Sequence, residues 1–182
     1  EEAATWEGQS EIDGTPVGRR VNTAEGQTLG TELRLGYSFW RMRLSSSITW
    51  MASELTKADG TTTPSRRTPP LFGAANLRYE HPWRQAYVEV GVRWAGEQDE
   101  LHPSDKKDLR ICETSYLSGL KDSECTGSPA WASMHIRGGL GITENLRGEL
   151  SISNLLDTYY KPHGSGTPSP GTDVRLTLRS SF

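Results

Sequence analysis

An antiparallel membrane-spanning β-barrel, all-β throughout, is the fold class that three features of this 182-residue sequence predict. Seven segments alternate apolar and polar side chains, the connections between them alternate between short and long, and aromatic residues gather at the segment ends. A strand has period two, so alternate side chains leave opposite faces. No segment sustains the three-and-four spacing of an amphipathic helix. No run approaches the roughly 18 apolar residues of a membrane-spanning helix. The mean hydropathy of −0.62 does not exclude a membrane, because a barrel alternates its apolar residues and escapes hydropathy windows.

The elements follow in order. In residues 28–39 the apolar row is Leu29, Leu33, Leu35, Tyr37 and Phe39, against Glu32 and Arg34. In 41–53 Met42, Leu44, Ile48, Trp50 and Ala52 stand against Arg41, Arg43 and Thr49. In 70–80 Leu71, Ala75, Leu77 and Tyr79 stand against Asn76, Arg78 and Glu80. In 85–95 Ala86, Val88, Val90, Val92 and Trp94 oppose Glu89 and Arg93. In 130–142 Ala132, Met134, Ile136, Leu140 and Ile142 oppose His135 and Arg137. In 145–155 Leu146, Leu150 and Ile152 oppose Arg147 and Glu149. In the final stretch, TDVRLTLRSSF, Val174, Leu176 and Leu178 oppose Arg175 and Arg179. The apolar rows hold no charged residue, and every opposite row holds an arginine.

Phe39–Trp40–Arg41, His81–Pro82–Trp83 and Thr143–Glu144 read as tight turns, while residues 54–69, 96–129 and 156–171 read as long loops. Compact soluble domains seldom place long loops at one end only, whereas outer-membrane barrels have short periplasmic turns and long external loops. Eleven residues at about 3.3 Å, tilted about 40°, cover roughly 28 Å, close to the ~25 Å apolar band of such barrels. Strands of soluble proteins are about half as long. Tyr37, Phe39, Trp40, Tyr79, Trp83 and Phe182 sit near the short turns, and Trp50, Trp94 and Trp131 near the loops. A soluble sandwich also alternates, but it buries its rings mid-strand; two girdles are what a membrane interface selects. The apolar rows are therefore expected to face lipid, and the rows of Arg34, Arg43, Arg93, Arg137, Arg147 and Arg175 the lumen.

Seven strands do not close a bacterial barrel of even count, and an open sheet in lipid leaves edge groups unpaired at several kcal/mol each. The expectation is the C-terminal part of a larger barrel. Residues 1–27 read as an external loop leading into the first strand, and residues 28–182 as barrel strands with three short periplasmic turns and three long external loops. The alternative is a small stand-alone barrel with a structural or adhesive role, drawing an eighth strand from residues 14–24. The opening EEAATWEGQS has neither a basic n-region nor an apolar h-region, which fits a removed leader or a start inside a longer chain. Twenty basic against 23 acidic residues, net −3, argue against a nucleic-acid partner.

Few residues suggest chemistry. Cys112 and Cys125 could form a disulfide or remain two free thiols; the sequence leaves both open. His102 with Asp99, Glu100 and Asp105 could hold a cation, and a solvated acidic loop is the favoured reading. HGSG at 163–166 lacks the spacing and the strand-to-helix elbow of a nucleophile motif, and GGLG at 138–141 lacks the third glycine and helix of a dinucleotide fingerprint. Neither an enzyme nor a cofactor is expected.

NLLDTYYKPHGSGTPSPGTDVRLTLRSSF resembles the C-terminus of TonB-dependent outer-membrane receptors. Asn154, Leu155, Asp157 and Tyr160 match the family's Asn-Leu-Phe-Asp-x-x-Tyr signature, with Leu156 in place of Phe. His163 to Gly166 and Pro170–Gly171 match the loop that follows, and Thr172 stands where many relatives have Arg. Upstream, RVNTAEGQTLGTEL (Asn22, Gly30, Glu32), RRTPPLFGAANLRYE and WAGEQDELHPSDKKDLRI are similar to the family's preceding strands and loop, so the resemblance covers roughly residues 15–182. It implies a 22-stranded barrel in the outer membrane of a Gram-negative bacterium, filled by an N-terminal plug. It also implies TonB-driven uptake of a scarce nutrient of the iron–siderophore, haem or cobalamin class. Neither the plug nor the TonB-contacting segment lies within these residues. His102 and His163 become loop candidates for touching the ligand. The lumen arginines would suit an anionic chelate or acidic plug residues equally. Phe182, an aromatic after an alternating strand, is similar to the signal read by the outer-membrane assembly machinery.

Overall fold

The computed structural model describes residues 10–12, 15–17, 24–112 and 125–181. Seven long strands form one antiparallel sheet: β3 (Ala24–Phe39), β4 (Met42–Lys57), β6 (Phe72–His81), β7 (Ala86–Ala95), β8 (Trp131–Gly141), β9 (Leu146–Ser153) and β10 (Asp173–Ser180). Each long strand pairs with its neighbours in sequence, and the short β5 (Thr62–Pro64) adds to β4. Strands β1 (Ser10–Ile12) and β2 (Thr15–Val17) pair with each other apart from the sheet. The sheet is open, with β3 and β10 as its edges.

The strands match the alternating segments, with two differences at the long-loop end. The first long strand begins at Ala24, not at residue 28, and its partner runs to Lys57, so the stretch expected as a loop from residue 54 starts as strand. Apart from Leu55, residues 24–28 and 53–57 are polar or small on both faces, so no apolar alternation marks the strand. The pairing is reinforced by hydroxyls instead. Thr28 Oγ1 meets Ser53 Oγ at 2.7 Å, and Ser53 Oγ donates to Ser65 Oγ at 2.9 Å. Residues 1–27, in which little alternation is visible, contribute the β1–β2 ribbon and the start of β3 from Ala24.

The short connections are as tight as expected. Trp40 takes a positive φ of 50° between β3 and β4. Pro82 opens a single 3-10 turn over Trp83–Gln85, in which Arg84 has φ 50°. Between β8 and β9 the Ile142 amide donates to the Leu146 carbonyl at 2.8 Å.

Register sorts the side chains into rows across the sheet. One row runs Tyr37, Leu44, Leu77, Val90, Ile136, Ile152, Val174, and the next Phe39, Met42, Tyr79, Val88, Gly138, Leu150, Leu176. The opposite face carries Arg34, Ser47, Ala74, Arg93, Ser133 in one row and Ser38, Arg43, Arg78, Glu89, Arg137, Ser151, Arg175 in another. Arg147, paired with Gly141 and Arg179, lies on this face too. All six arginines singled out in the sequence thus share one face.

Burial is inverted relative to a soluble sheet. Along β7, Tyr87 is 8% exposed and Glu89 6%, while Val88 is 42% and Val90 41%. On β10, Val174, Leu176 and Leu178 are all exposed. Apolar side chains normally lead the list of buried residues, and unpaired acids are almost never buried. Here the charged face is the crowded one. Aromatic rings on both faces lie over glycines: a Cβ on Gly73 would come within 2.8 Å of the Trp94 ring, and one on Gly139 within 2.7 Å of Tyr87. The clustered hydrophobic core among the described residues is small and lies outside the sheet, in the β7–β8 connection, where Leu101, Ile111 and Cys112 pack with Cys125.

Candidate functional site

The polar face is organised around Tyr87, which falls on the charged parity of β7. Its hydroxyl donates to Glu149 Oε2 at 2.6 Å, and the Arg78 guanidinium lies 3.7 Å from its ring centre. Arg78 Nε also pairs with Glu80 at 3.0 Å and its Nη1 approaches Glu89 at 3.8 Å. Arg137 closes on the same Glu89 at 2.7 Å. Buried carboxylates persist when a cation and hydrogen bonds compensate them, and Glu89 has two guanidinium groups. Arg147 Nη1 donates to Gln85 Oε1 at 3.4 Å.

The six predicted arginines therefore divide. Arg137 is locked into the wall, Arg34 pairs with Glu32 at 2.7 Å, and Arg175 reaches Asp173 at 3.8 Å. Arg43 and Arg93 are exposed and have no acidic partner among the described residues. At the short-turn end, Arg84, Arg147 and Arg179 line a groove of about 590 Å³, with Glu144 as its one acid among the described residues. Sequence reading placed Arg78, Glu89 and Glu149 on the correct row but missed Tyr87; its odd position on β7 was the available signal.

The long connections carry the two candidate histidines. The expectation of a solvated acidic loop around His102 holds for the exposed Asp99 and Glu100 and is corrected for the rest: His102 is 2% exposed and Asp105 1%, with Cys112 the least accessible side chains among the described residues. The loop folds onto its own apolar cluster, and a 3-10 turn at Asp105–Lys107 draws the carboxylate inward. His102 Nδ1 accepts the Ser104 amide at 3.0 Å. His163 is half-buried, and its Nδ1 meets Ser128 Oγ at 2.9 Å. Burial pushes its pKa down, and the carboxylates of Asp105 and Asp108 pull it partly back. Among the described residues no group of three or more metal-binding side chains occurs. Cys112 and Cys125 are joined in a disulfide with a Cα–Cα distance of 5.6 Å. Phe182 lies outside the described residues.

The Asn154–Tyr160 signature acts as a staple where β9 ends. Asn154 has φ 50°, is 4% exposed, and uses both ends of its amide. Nδ2 donates to the carbonyls of Thr158 at 2.9 Å and Pro170 at 3.1 Å, while Oδ1 accepts the Thr158 amide at 3.0 Å. Asp157 Oδ1 accepts the Thr172 amide at 3.0 Å, directly ahead of β10. Tyr160 stacks on Trp131 with ring centres 4.1 Å apart. Short polar side chains tolerate the left-handed backbone region because they hydrogen-bond locally.

Solved structures similar to this chain include the following three. The first is described as "Copper transporter OprC", with a TM-score of 0.65 and 16% identity over 86% of this chain and 24% of that one. The second is the siderophore receptor PiuA from Acinetobacter baumannii, with a TM-score of 0.60 and 19% identity over 87% of this chain and 22% of that one. The third is the FrpB iron transporter from Neisseria meningitidis, with a TM-score of 0.67 and 16% identity over 91% of this chain and 25% of that one. The chain spans about a quarter of the length of these structures. No protein-family model matches it, and no curated protein does. At these identities the likeness establishes the fold alone: an open antiparallel sheet that matches a stretch of these larger all-β structures.

Proposed function

We propose that this chain is the C-terminal wall, with its external loops, of an outer-membrane TonB-dependent transporter for a scarce nutrient. The observation that carries the reading is the inverted sheet, with valines exposed on one face of β7 and Glu89 buried on the other. That arrangement is unfavourable in water on both sides and favourable when the apolar face meets lipid and the charged face a wet or protein-filled lumen. An open sheet in lipid needs further strands at both edges, which accords with a chain covering a quarter of its structural neighbours. Those neighbours are described as copper, siderophore and iron transporters or receptors, in support of a metal or metal-chelate cargo.

On this reading the short turns face the periplasm and Arg43 and Arg93 face the lumen. There they meet anionic groups, supplied by an acidic plug surface or by a passing anionic chelate. The chain's part in transport is to bind, orient and enclose; energy enters through the plug and the TonB complex. The test is growth of a metal-starved host lacking its own receptors, supplied with ferric siderophores, haem, cobalamin or copper, and expressing the full-length protein. Rescue by one of these, lost when the TonB complex is deleted, is the expected result. No rescue by any of them, with the protein present in the outer membrane, would sink the transport reading and favour a structural or adhesive barrel.

A further inference from the structure

At the short-turn end of the sheet, three guanidinium groups from three elements line one groove with their charge uncompensated. Arg84 comes from the turn between β6 and β7, Arg147 from the start of β9 and Arg179 from the end of β10. Arg147 and Arg179 stand directly opposite each other in the β9–β10 register. Like charges facing each other across an antiparallel pair are destabilising. Elsewhere on this face the sheet supplies the counter-charge itself, as where Arg78 and Arg137 share Glu89. In the groove it does not: Arg84, Arg147 and Arg179 make no ion pair among the described residues. Three cations against the single carboxylate of Glu144 leave two positive charges. Glu149, two residues further along β9, gives its Oε2 to the Tyr87 hydroxyl and lines a second cavity, of about 320 Å³. That cavity shares Arg179 with the groove and adds Arg137 and Arg175, so the field there stays positive.

Neutral groups hold these cations in place. Arg84 Nη1 donates to the Ile142 carbonyl at 3.0 Å, across to the next short turn, and its guanidinium carbon lies 5.1 Å from the Trp83 ring centre. Arg147 Nη1 donates to Gln85 Oε1 at 3.4 Å, and its guanidinium carbon lies 5.7 Å from the Tyr87 ring centre. A carbonyl, an amide or a ring face orients a guanidinium without neutralising it. The Ser181 amide donates to the Asn145 carbonyl at 3.0 Å, which ties the end of β10, and with it Arg179, to the β8–β9 turn.

We propose that this groove is a binding site for one compact, multiply charged oxyanion of the phosphate or polycarboxylate type, held by Arg84, Arg147 and Arg179. The guanidinium fork presents parallel N–H donors that match two oxygens of such a group. A volume of about 590 Å³ admits the anion together with water. Bound there, the anion offsets the repulsion between Arg147 and Arg179. The site depends on no particular cargo, so binding can hold where growth rescue fails, and rescue can succeed where binding fails.

The experiment is equilibrium dialysis of the full-length protein in detergent against radiolabelled pyrophosphate and, separately, citrate, in sodium chloride at constant ionic strength. The expected result is one equivalent of at least one probe, bound saturably; the probe that binds more tightly identifies the preferred class. Arg147→Gln and Arg179→Gln are each expected to weaken binding about tenfold or more, the loss of one charge-assisted contact. Lys107→Gln, an equal loss of charge at the long-loop end, leaves it unchanged. Arg84→Gln, in an exposed turn, gives the same reading where a strand variant fails to fold. Binding of neither probe, or binding that all three arginine variants leave intact, would overturn the proposal.

Discussion

Placing a lysine at Val90 tests which solvent each face meets. Val90 is the fifth of the ten residues of β7 and 41% exposed, in a row with Leu77 and Ile136. Ten residues at about 3.3 Å, tilted about 40°, rise roughly 25 Å, which is the full apolar band; Val90 then lies near its midplane. A cation on the lipid face costs about 2–4 kcal/mol at that depth and at most about 1 near the interfaces. The matched control is Ser45→Lys. Ser45 lies in the adjacent row with Asn76 and Gly91, one residue step from the row of Val90 and on the opposite face. If that face is wet, the substitution costs about 0.5 kcal/mol or less. The folding equilibrium of Val90→Lys is thus expected to fall by a factor of about 10 to 700 against its control, at 1.4 kcal/mol per tenfold. The assay is urea titration of the full-length barrel refolded into lipid vesicles, followed by tryptophan fluorescence. Equal costs at the two positions would refute the assignment of faces, and a larger cost at Ser45 would reverse it.

Three further outcomes follow from local geometry. Asn154→Ala removes four side-chain amide hydrogen bonds from a buried residue at positive φ and should lower stability by about 2–4 kcal/mol, seen as a lower melting temperature; Asn154→Gly relieves only the backbone part, about 1 kcal/mol. Tyr87→Phe loses the 2.6 Å bond to Glu149 but keeps the ring under Arg78, so the same titration should register roughly 1–2 kcal/mol, and no change would mean that water replaces the hydroxyl freely. The third outcome is a pH dependence. His163 has a folded pKa below its ordinary ~6.5 because it is buried, so the loosened state takes up the proton more readily. The contact with Ser128 is therefore complete above that pH and weakens as pH falls through it, against the partial counter-pull of Asp105 and Asp108. Proteolysis near residues 160–170 should rise between pH 7.5 and 5.5, and His163→Ala should abolish that difference.

What the sequence made legible is what two solvents write into it. Leu33, Val90 and Leu176 alternate with Arg34, Glu89 and Arg175 because each strand separates two environments, and period two records that directly. Where no apolar side chain repeats, at Gly26, Gln27 and Thr28, the record stops, although the strand continues. Tyr87 was hidden because its ring, apolar in composition, sits on the charged row, in space that Gly139 leaves open on β8. The contact between the β4–β6 and β7–β8 connections was illegible for a different reason. Asp105 is held by the backbone amide of Arg67, 38 residues earlier, and a main-chain donor leaves no trace in residue type. Asn154 and Asp157 stood out as a motif, yet the physical reason for the motif, positive φ with the amide bonded at both ends, is tertiary.

The central claim is that the sheet has lipid on its apolar face and a polar lumen on the other. Single cysteines at residues 88 to 92 of the full-length protein in vesicles, carrying a fluorophore and challenged with a nitroxide quencher on lipid tails, test it directly. The account predicts quenching at 88, 90 and 92 and protection at 89 and 91. Uniform quenching at all five, or a pattern with the odd positions in lipid, would contradict it.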